Sequence, residues 1–145
     1  MAEQATQQIT VEASPERCFA VATDFEHYPE WATDVKEATV VERDDEGRPT
    51  EVDFRAAAMG RSTRYQLRYD LTGAPQRMSG TLTHGDITKA IDGSYDFVPG
   101  TSPGTTDVTY KLSIELVVPL PGFVKRRAEV KILNTIKELK ARVES

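Results

Sequence analysis

The sequence predicts an α+β fold in which one antiparallel sheet is completed by a long C-terminal helix. Short runs of alternating apolar and polar residues follow one another through the middle of the chain, as in the strands of an antiparallel sheet. Helical patterns lie only before and after these runs, and such segregation is typical of the α+β class. A curved sheet that grips one helix can leave a cavity between them, which is the best functional indication in these residues.

The chain begins with a predicted strand and a short helix. Gln7–Glu12 reads as a strand with Ile9 and Val11 on one face. Ser14 and Pro15 then mark a helix start, because a serine can cap the first turn and proline suits the first helical position. The apolar side of this helix consists of Cys18, Phe19, Val21 and Ala22.

A second short helix is predicted through the segment FEHYPEWA. Asp24 is the expected N-cap, and Pro29 limits the length of the helix. Trp31, at its end, is interpreted as a packing residue more readily than as a ligand clamp. His27 is expected at the surface, where a general-base role is disfavoured.

Several strands follow, separated by turns that contain Gly, Pro, Asp and Ser. The predicted strands are Val35–Arg43, Thr50–Ala58, Arg64–Leu71, Arg77–Thr83, Ile87–Val98 and Val108–Val117. Met59-Gly60-Arg61 and Thr83-His84-Gly85-Asp86 are predicted as turns. In RYQLRYDL the apolar parity carries Tyr65 and Tyr69, and the other parity carries Arg64 and Arg68. This alternation predicts one dry and one solvated face.

The last strand is predicted to end at Pro119 and Pro121, with Gly122 allowing the chain to reverse. The helix that follows has an apolar stripe at three- and four-residue spacing. The stripe consists of Phe123, Val124, Ala128, Ile132, Leu133, Ile136, Leu139 and Val143. Residues 121–145 also contain seven Lys or Arg and three Glu. A solvated face explains these cations, although contact with an anionic lipid surface or an acidic partner is an alternative.

Composition narrows the classes of protein. The 145 residues are 39% hydrophobic with a net charge of −5, which predicts one globular domain, 1–145, and argues against a nucleic-acid binder. No signal peptide or membrane-spanning stretch is visible, so a cytoplasmic location is expected. Cys18 is the only cysteine and permits no internal disulfide. One cysteine and two histidines in the whole sequence are too few for the usual structural zinc sites, so none is expected. Neither a metal nor a cofactor is predicted.

Four tyrosines are the main candidate functional residues. Tyr65, Tyr69, Tyr95 and Tyr110 share the apolar parity of their strands. A buried phenol without a partner costs about 1–3 kcal/mol, so several on one apolar face favour a pocket whose hydroxyls orient a ligand. The alternative is ordinary core tyrosines that reach the rim of the sheet.

Other polar groups predict little chemistry. His84 and Asp86 could form an acid–base pair, but an exposed hairpin turn is favoured. Arg55, Arg64 and Arg68 are expected on the solvated face, and Arg61 could reach the mouth of a cavity. Cys18, without a basic partner, is interpreted as a small hydrophobic residue.

Three segments carry a resemblance to a known superfamily. They are Tyr28-Pro29-x-Trp31, Tyr95-x-Phe97-x-Pro99 with the Gly104-Thr105 turn, and the amphipathic terminal helix. On these residues nearly the whole chain resembles the START/Bet v 1-like (SRPBCC) superfamily, and within it the bacterial polyketide cyclase/dehydrase and lipid-transport branch. The resemblance implies a helix-grip fold, with a bent seven-stranded antiparallel sheet around the C-terminal helix and an apolar cavity between them.

The resemblance also implies several functions. Members bind lipids, sterols, isoprenoid quinones, polyketides or plant hormones; some are aromatase/cyclases and others are carriers without chemistry. The aromatase/cyclases have a cavity arginine with Trp- and Tyr-rich walls, whereas the strand RYQLRYDL has no Trp and no arginine here can be matched to that position. The expected function is therefore binding of a small hydrophobic ligand, by a monomer or dimer. The predicted lining is Tyr28, Trp31, Phe54, Tyr65, Leu67, Tyr69, Tyr95, Phe97, Tyr110, Leu112, Phe123, Ile132 and Ile136.

Two alternatives remain open at this stage. One is a polyketide cyclase, dehydratase or aromatase, which requires a charged side chain beside a cavity tyrosine. The other is a protein that docks on a membrane or partner through Lys125, Arg126 and Arg127, with strongly salt-dependent binding to liposomes.

Overall fold

Seven strands form a single antiparallel sheet. The computed structural model of the chain describes residues 3–58, 61–116 and 134–145. The strands are β1 (Glu3–Val11), β2 (Val35–Arg43), β3 (Pro49–Ala58), β4 (Arg61–Asp70), β5 (Arg77–Gly85), β6 (Thr88–Pro99) and β7 (Thr106–Leu116). Their order across the sheet is β1-β7-β6-β5-β4-β3-β2. Strands β2 to β7 are thus neighbours both in sequence and in space, and β1 pairs with β7.

Two short helices follow β1, as predicted. Helix α1 (Pro15–Ala22) begins at Ser14, whose side-chain oxygen accepts a hydrogen bond of 3.2 Å from the Arg17 amide. The second is a 3₁₀ helix, Phe25–Glu30. Asp24 is its N-cap residue, as predicted; the Asp24 carboxylate makes no capping hydrogen bond and lies 2.7 Å from Nδ1 of His27.

A third helix, α2, covers residues 134–144 of the described chain. Ile136, Leu139 and Val143 are at most 3% exposed and join the hydrophobic core, which agrees with this part of the predicted stripe. The residues of the stripe from Phe123 to Leu133 lie outside the described residues, as do Pro119–Gly122 and Lys125–Arg127. The structure confirms the predicted class, a curved seven-stranded antiparallel sheet with short helices after β1 and a C-terminal helix.

Some strand ends differ from the predictions. Strand β1 begins at Glu3, four residues earlier than predicted, because the polar N-terminal residues continue the ladder with β7. The predicted turn at residues 83–86 is wrong for all but its last residue, because β5 continues to Gly85. His84 pairs with Gln66 of β4. Arg61 is the first residue of β4 rather than part of a turn, and residues 59–60 are not described.

The end of α2 is fixed to two other segments by side-chain contacts. The contacts join Glu138 to Thr33, Lys140 to Thr10, Arg142 to Glu30 and Glu144 to Glu12. The helix therefore closes over the end of β1 and the residues around the end of the 3₁₀ helix. Within the described residues, no helix has the length and hydropathy of a membrane span.

Candidate functional site

All five tyrosines of the chain belong to one group on the inner side of the sheet. Tyr28 is in the 3₁₀ helix, Tyr65 and Tyr69 are on β4, Tyr95 is on β6 and Tyr110 is on β7. The last two are direct partners across β6 and β7. The alternation of each strand turns these side chains to the same face, so the group is a direct consequence of sequence parity.

Aromatic packing holds the rings in place. The rings of Tyr95 and Tyr110 stack with centroids 4.4 Å apart, and Tyr95 also stacks on Phe97 at 5.7 Å. Phe54 stacks on Tyr65 at 5.3 Å. These offset and parallel arrangements are favourable for aromatic pairs, and each ring restricts the rotation of its neighbour.

The 3₁₀ helix adds two rings to this wall. Phe25 stacks on Tyr69 at 4.5 Å, and Tyr28 packs against Trp31 at 4.7 Å. Phe25 is 1% exposed and was not predicted as a site residue. Its spacing of three residues from Tyr28 was a usable signal, because residues three apart share a face of a 3₁₀ turn.

The phenol groups are close enough to influence one another. Burial raises the pKa of all five tyrosines. Neighbouring phenols add to this effect, for example Tyr65, Tyr110 and Tyr95 on the pKa of Tyr69. All five phenols are therefore protonated at neutral pH.

Only one of these hydroxyls has a hydrogen-bond partner among the described residues. Tyr28 donates to the carbonyl oxygen of Ala22, whereas Tyr65, Tyr69, Tyr95 and Tyr110 make no such bond there. Every fully buried side-chain nitrogen or oxygen in this part of the chain is hydrogen-bonded. The rings of these four tyrosines are packed in the core cluster, and among the described residues their hydroxyls are not paired.

The predicted lining residues lie together in one cluster as far as the structure describes them. The buried members of this cluster include Phe54, Leu67, Phe97 and Ile136. Partly buried residues that pack against them include Trp31, Tyr69 and Leu112. Phe123 and Ile132 lie outside the described residues.

Charged groups are mostly on the other face. Arg55 pairs with Glu37 at 2.8 Å, and Arg68 pairs with Glu51 at 3.5 Å, both on the solvated side as predicted. The reach of the Arg61 side chain lies outside what the structure describes. Asp34 is an acidic group near the cluster, because its charge adds to burial in raising the pKa of Tyr65 to about 12. The sequence offered no signal for Asp34.

The two histidines are exposed. His27 is exposed, and its hydrogen bond to Asp24 raises its pKa. His84 is exposed at the end of β5. Asp86 does not pair with it; its carboxylate accepts from the Thr63 hydroxyl and from backbone amides at residues 64 and 87. Asp86 therefore joins the connection between β5 and β6 to strand β4.

Cys18 is buried and free, and burial raises the pKa of its thiol, which fits its interpretation as a small hydrophobic residue. In residues 3–58, 61–116 and 134–145, no group of three or more His, Cys, Asp or Glu is arranged to hold a metal ion.

The sequence matches the model of a protein family described as "Polyketide cyclase / dehydrase and lipid transport" over residues 2–144. The chain belongs to this family. The resemblance to the START/Bet v 1-like superfamily is therefore confirmed. A comparison with curated proteins gave no match.

Solved structures agree with the family. A START superfamily protein from Mycobacterium smegmatis is 26% identical, with a TM-score of 0.89 and 97% of both chains covered. A protein from Thermus thermophilus is 23% identical, with a TM-score of 0.80 and coverage of 97% of this chain and 96% of that one. The Zhui aromatase/cyclase from a Streptomyces species is 12% identical, with a TM-score of 0.81 and coverage of 99% and 94%. At such identities the last two share the fold alone.

Proposed function

We propose that this member of the polyketide cyclase/dehydrase and lipid-transport family binds a small hydrophobic ligand, of lipid, isoprenoid or polyketide type. The ligand would lie between the inner face of the sheet and the C-terminal helix. The observation that carries this proposal is the group of four tyrosine hydroxyls that have packed rings but no hydrogen-bond partner among the described residues.

The chemistry of these groups indicates what the ligand contains. Phenols with raised pKa values stay protonated and donate hydrogen bonds, so they match carbonyl or hydroxyl oxygens on the ligand. The surrounding rings and aliphatic side chains would contact its apolar body and supply most of the affinity, at about 25 cal/mol per Å² of apolar area removed from water. An apolar wall with a few oriented polar groups is the usual composition of a ligand pocket.

Binding can be measured with Prodan, an uncharged naphthalene ketone whose fluorescence reports the polarity around its carbonyl. The wild type is expected to bind it with blue-shifted emission, and native mass spectrometry of the purified protein is expected to show a co-purified apolar ligand. The matched probe 2-dimethylaminonaphthalene lacks the carbonyl and should bind more weakly. Absence of binding to both probes, together with no co-purified ligand, would remove the proposal.

Tyr95→Phe and Tyr110→Phe test the hydroxyls directly. Each is expected to weaken Prodan binding about fivefold, the loss that corresponds to one hydrogen bond of about 1 kcal/mol. The carbonyl-free probe should bind these variants and the wild type equally. Equal losses for both probes would mean that the hydroxyls do not contact the ligand carbonyl.

A second candidate function is catalysis of cyclisation or dehydration. One observation favours it: the charge of Asp34 contributes to the raised pKa of the Tyr65 phenol, and acid–base chemistry on a carbonyl chain requires an acidic group that acts with a hydroxyl. A linear poly-β-ketone thioester should then lose one water molecule in the presence of the protein, and Asp34→Asn should abolish that loss while leaving Prodan binding intact. Bound but unchanged substrate would leave binding as the function.

A further inference from the structure

A row of residues with an unusual composition crosses the inner face of the sheet. Tyr69 on β4 pairs with Gly80 on β5, Gly80 pairs with Gly93 on β6, and Gly93 pairs with Leu112 on β7. Two adjacent central positions therefore have no side chain. Glycine weakens the interior of a strand, so a glycine there often marks a close approach of other atoms.

The backbone does not require glycine at either position. The described glycines with positive φ are Gly47 and Gly104, at +82° and +77°. Gly80 and Gly93 are not among them, so alanine could adopt their backbone conformation. The reason for glycine at these positions must therefore lie in the space that a side chain would occupy.

At Gly80 that space is taken by the ring of Tyr69. A Cβ atom on residue 80 would lie 2.8 Å from Cε1 and 3.1 Å from Cδ1 of Tyr69, well inside the usual carbon–carbon separation of about 3.5–4.0 Å. The ring has little freedom to move away, because it also stacks on Phe25 with centroids 4.5 Å apart. Any side chain at residue 80 must displace the ring.

The position of this ring matters for the proposed site. Tyr69 belongs to the same aromatic cluster as Tyr65, Tyr95 and Tyr110, and the phenols of these three contribute to its raised pKa. We propose that Gly80 is a positioning residue of the ligand site: it allows the Tyr69 ring to lie against the sheet, out of the ligand space, with its hydroxyl among the other three. Gly80 thereby sets the width of the site; this part of the inference rests on the proposed function.

Gly93 provides a matched control on the next strand. A Cβ atom there would lie 3.3 Å from Cδ1 of Leu112, which is the end of a flexible side chain and can move by a few tenths of an ångström. The same substitution at two paired positions of one row thus meets a rigid, stacked ring in one case and a mobile methyl group in the other.

The first test needs no ligand. Gly80→Ala should lower the midpoint of urea unfolding in the wild-type background but not in the Tyr69→Leu background, where the ring is absent. Gly93→Ala should change the midpoint little in both. If Gly80→Ala does not fold while Gly80→Ala/Tyr69→Leu does, the proposal is also supported. Equal effects of Gly80→Ala in the two backgrounds, or failure of both variants to fold, would overturn it.

The second test uses Prodan and the one-ring ketone 4-dimethylaminoacetophenone. Gly80→Ala should raise the Kd for Prodan about tenfold or more, as misfit by one methyl group does in a closed apolar pocket, whereas the smaller ketone should keep its affinity. Gly93→Ala should change the Kd for each ketone by less than about threefold, because the flexible Leu112 side chain can move to make room for the added methyl group. Unchanged Prodan affinity in a folded Gly80→Ala variant would refute the role of Gly80 in setting width.

The two tests separate this inference from the proposed function. If the wild type binds neither ketone but the unfolding experiment shows that Gly80 and Tyr69 are coupled, then Gly80 positions Tyr69 and the ligand function is wrong. If the wild type binds Prodan but the coupling is absent, the ligand function stands and the role of Gly80 is wrong.

Discussion

The five tyrosine hydroxyls differ in whether the described part of the protein satisfies them. The hydroxyl of Tyr28 donates to Ala22 and so contributes to the turn between α1 and the 3₁₀ helix. The rings of the other four pack in the cluster, and their hydroxyls have no partner among the described residues. Under the proposed function, this difference separates a tyrosine whose hydroxyl maintains the fold from tyrosines whose hydroxyls bind the ligand.

Substitution by phenylalanine should therefore have opposite consequences in the two groups. Tyr28→Phe leaves the Ala22 carbonyl without its partner and should reduce the free energy of unfolding by about 1–2 kcal/mol. Tyr95→Phe removes a polar atom that has no partner among the described residues and should leave the free energy of unfolding unchanged or raise it. Urea unfolding measures both. Comparable destabilisation by the two substitutions would contradict this distinction.

The same burial predicts a steep loss of stability at alkaline pH. In the unfolded chain the five phenols ionise near the ordinary tyrosine pKa of 10.0, whereas in the folded protein every one has a raised pKa, that of Tyr65 to about 12. The five phenols contribute their full share to the free energy of unfolding below pH 10. Between pH 10 and the pKa values of the folded protein, the phenols release protons in the unfolded state only, so the free energy of unfolding falls as the pH rises.

Tyrosinate absorbance and circular dichroism, recorded together, test this expectation. The absorbance of the native protein should stay low above pH 10 and then rise in the same step as the loss of secondary structure. In concentrated urea all five tyrosines should titrate near pH 10. Ionisation of several tyrosines in the folded protein near pH 10 would show that the phenols are not desolvated.

The described part of α2 contacts the rest of the fold through both apolar packing and side-chain hydrogen bonds. Its apolar residues pack into the core, and four polar side chains near its end reach two separate segments. Glu138 accepts hydrogen bonds from both the amide and the hydroxyl of Thr33, just beyond the 3₁₀ helix that carries Tyr28. The helix thus fixes the segment that leads away from the aromatic cluster.

Removal of this attachment should loosen that segment. Glu138→Ala is expected to lower Tm by roughly 3 °C, which corresponds to about 1 kcal/mol in a protein of this size, and to speed hydrogen exchange of the Thr33 amide. Lys137→Ala is the control, because Lys137 is exposed on the same helix. If Lys137→Ala has the same effects, helix propensity rather than the Glu138 contact determines them.

At the scale of helices and strands, the sequence predicted the features that depend on local periodicity. Alternation identified the strand faces and therefore four of the five clustered tyrosines, and Ser14-Pro15 identified the start of α1. Features decided by contacts between distant residues were missed. The length of β5 depends on pairing with β4, and the role of Gly80 depends on a ring from another strand. Asp24 begins the 3₁₀ helix as predicted, but the pairing of its carboxylate with His27 could not be read from the sequence pattern.

For the molecule as a whole, the sequence match over residues 2–144 establishes the family but not the ligand. The family includes both cyclase/dehydrase and lipid-transport proteins, so the distinction has to come from the site. The cluster offers hydrogen-bond donors and rings, and the charge of Asp34 acts on one of its phenols, Tyr65. Donors and rings are sufficient for binding, whereas chemistry also needs a group that exchanges protons near neutral pH, and the raised pKa values of the tyrosines disqualify them as bases.

Occupation of such a site should stabilise the entire domain, because the ligand would contact both the sheet and the C-terminal helix only in the folded state. At a free Prodan concentration of 100 times Kd, the free energy of unfolding should rise by about 2.7 kcal/mol, which corresponds to a Tm increase of roughly 8 °C. Differential scanning fluorimetry in the presence of Prodan is confounded by its emission, so calorimetry is the suitable measurement. Gly80→Ala should show a much smaller increase at the same Prodan concentration. Prodan that binds with the measured Kd but does not raise Tm would have to bind the unfolded chain equally well, which is inconsistent with a site built from β4, β6, β7 and the 3₁₀ helix.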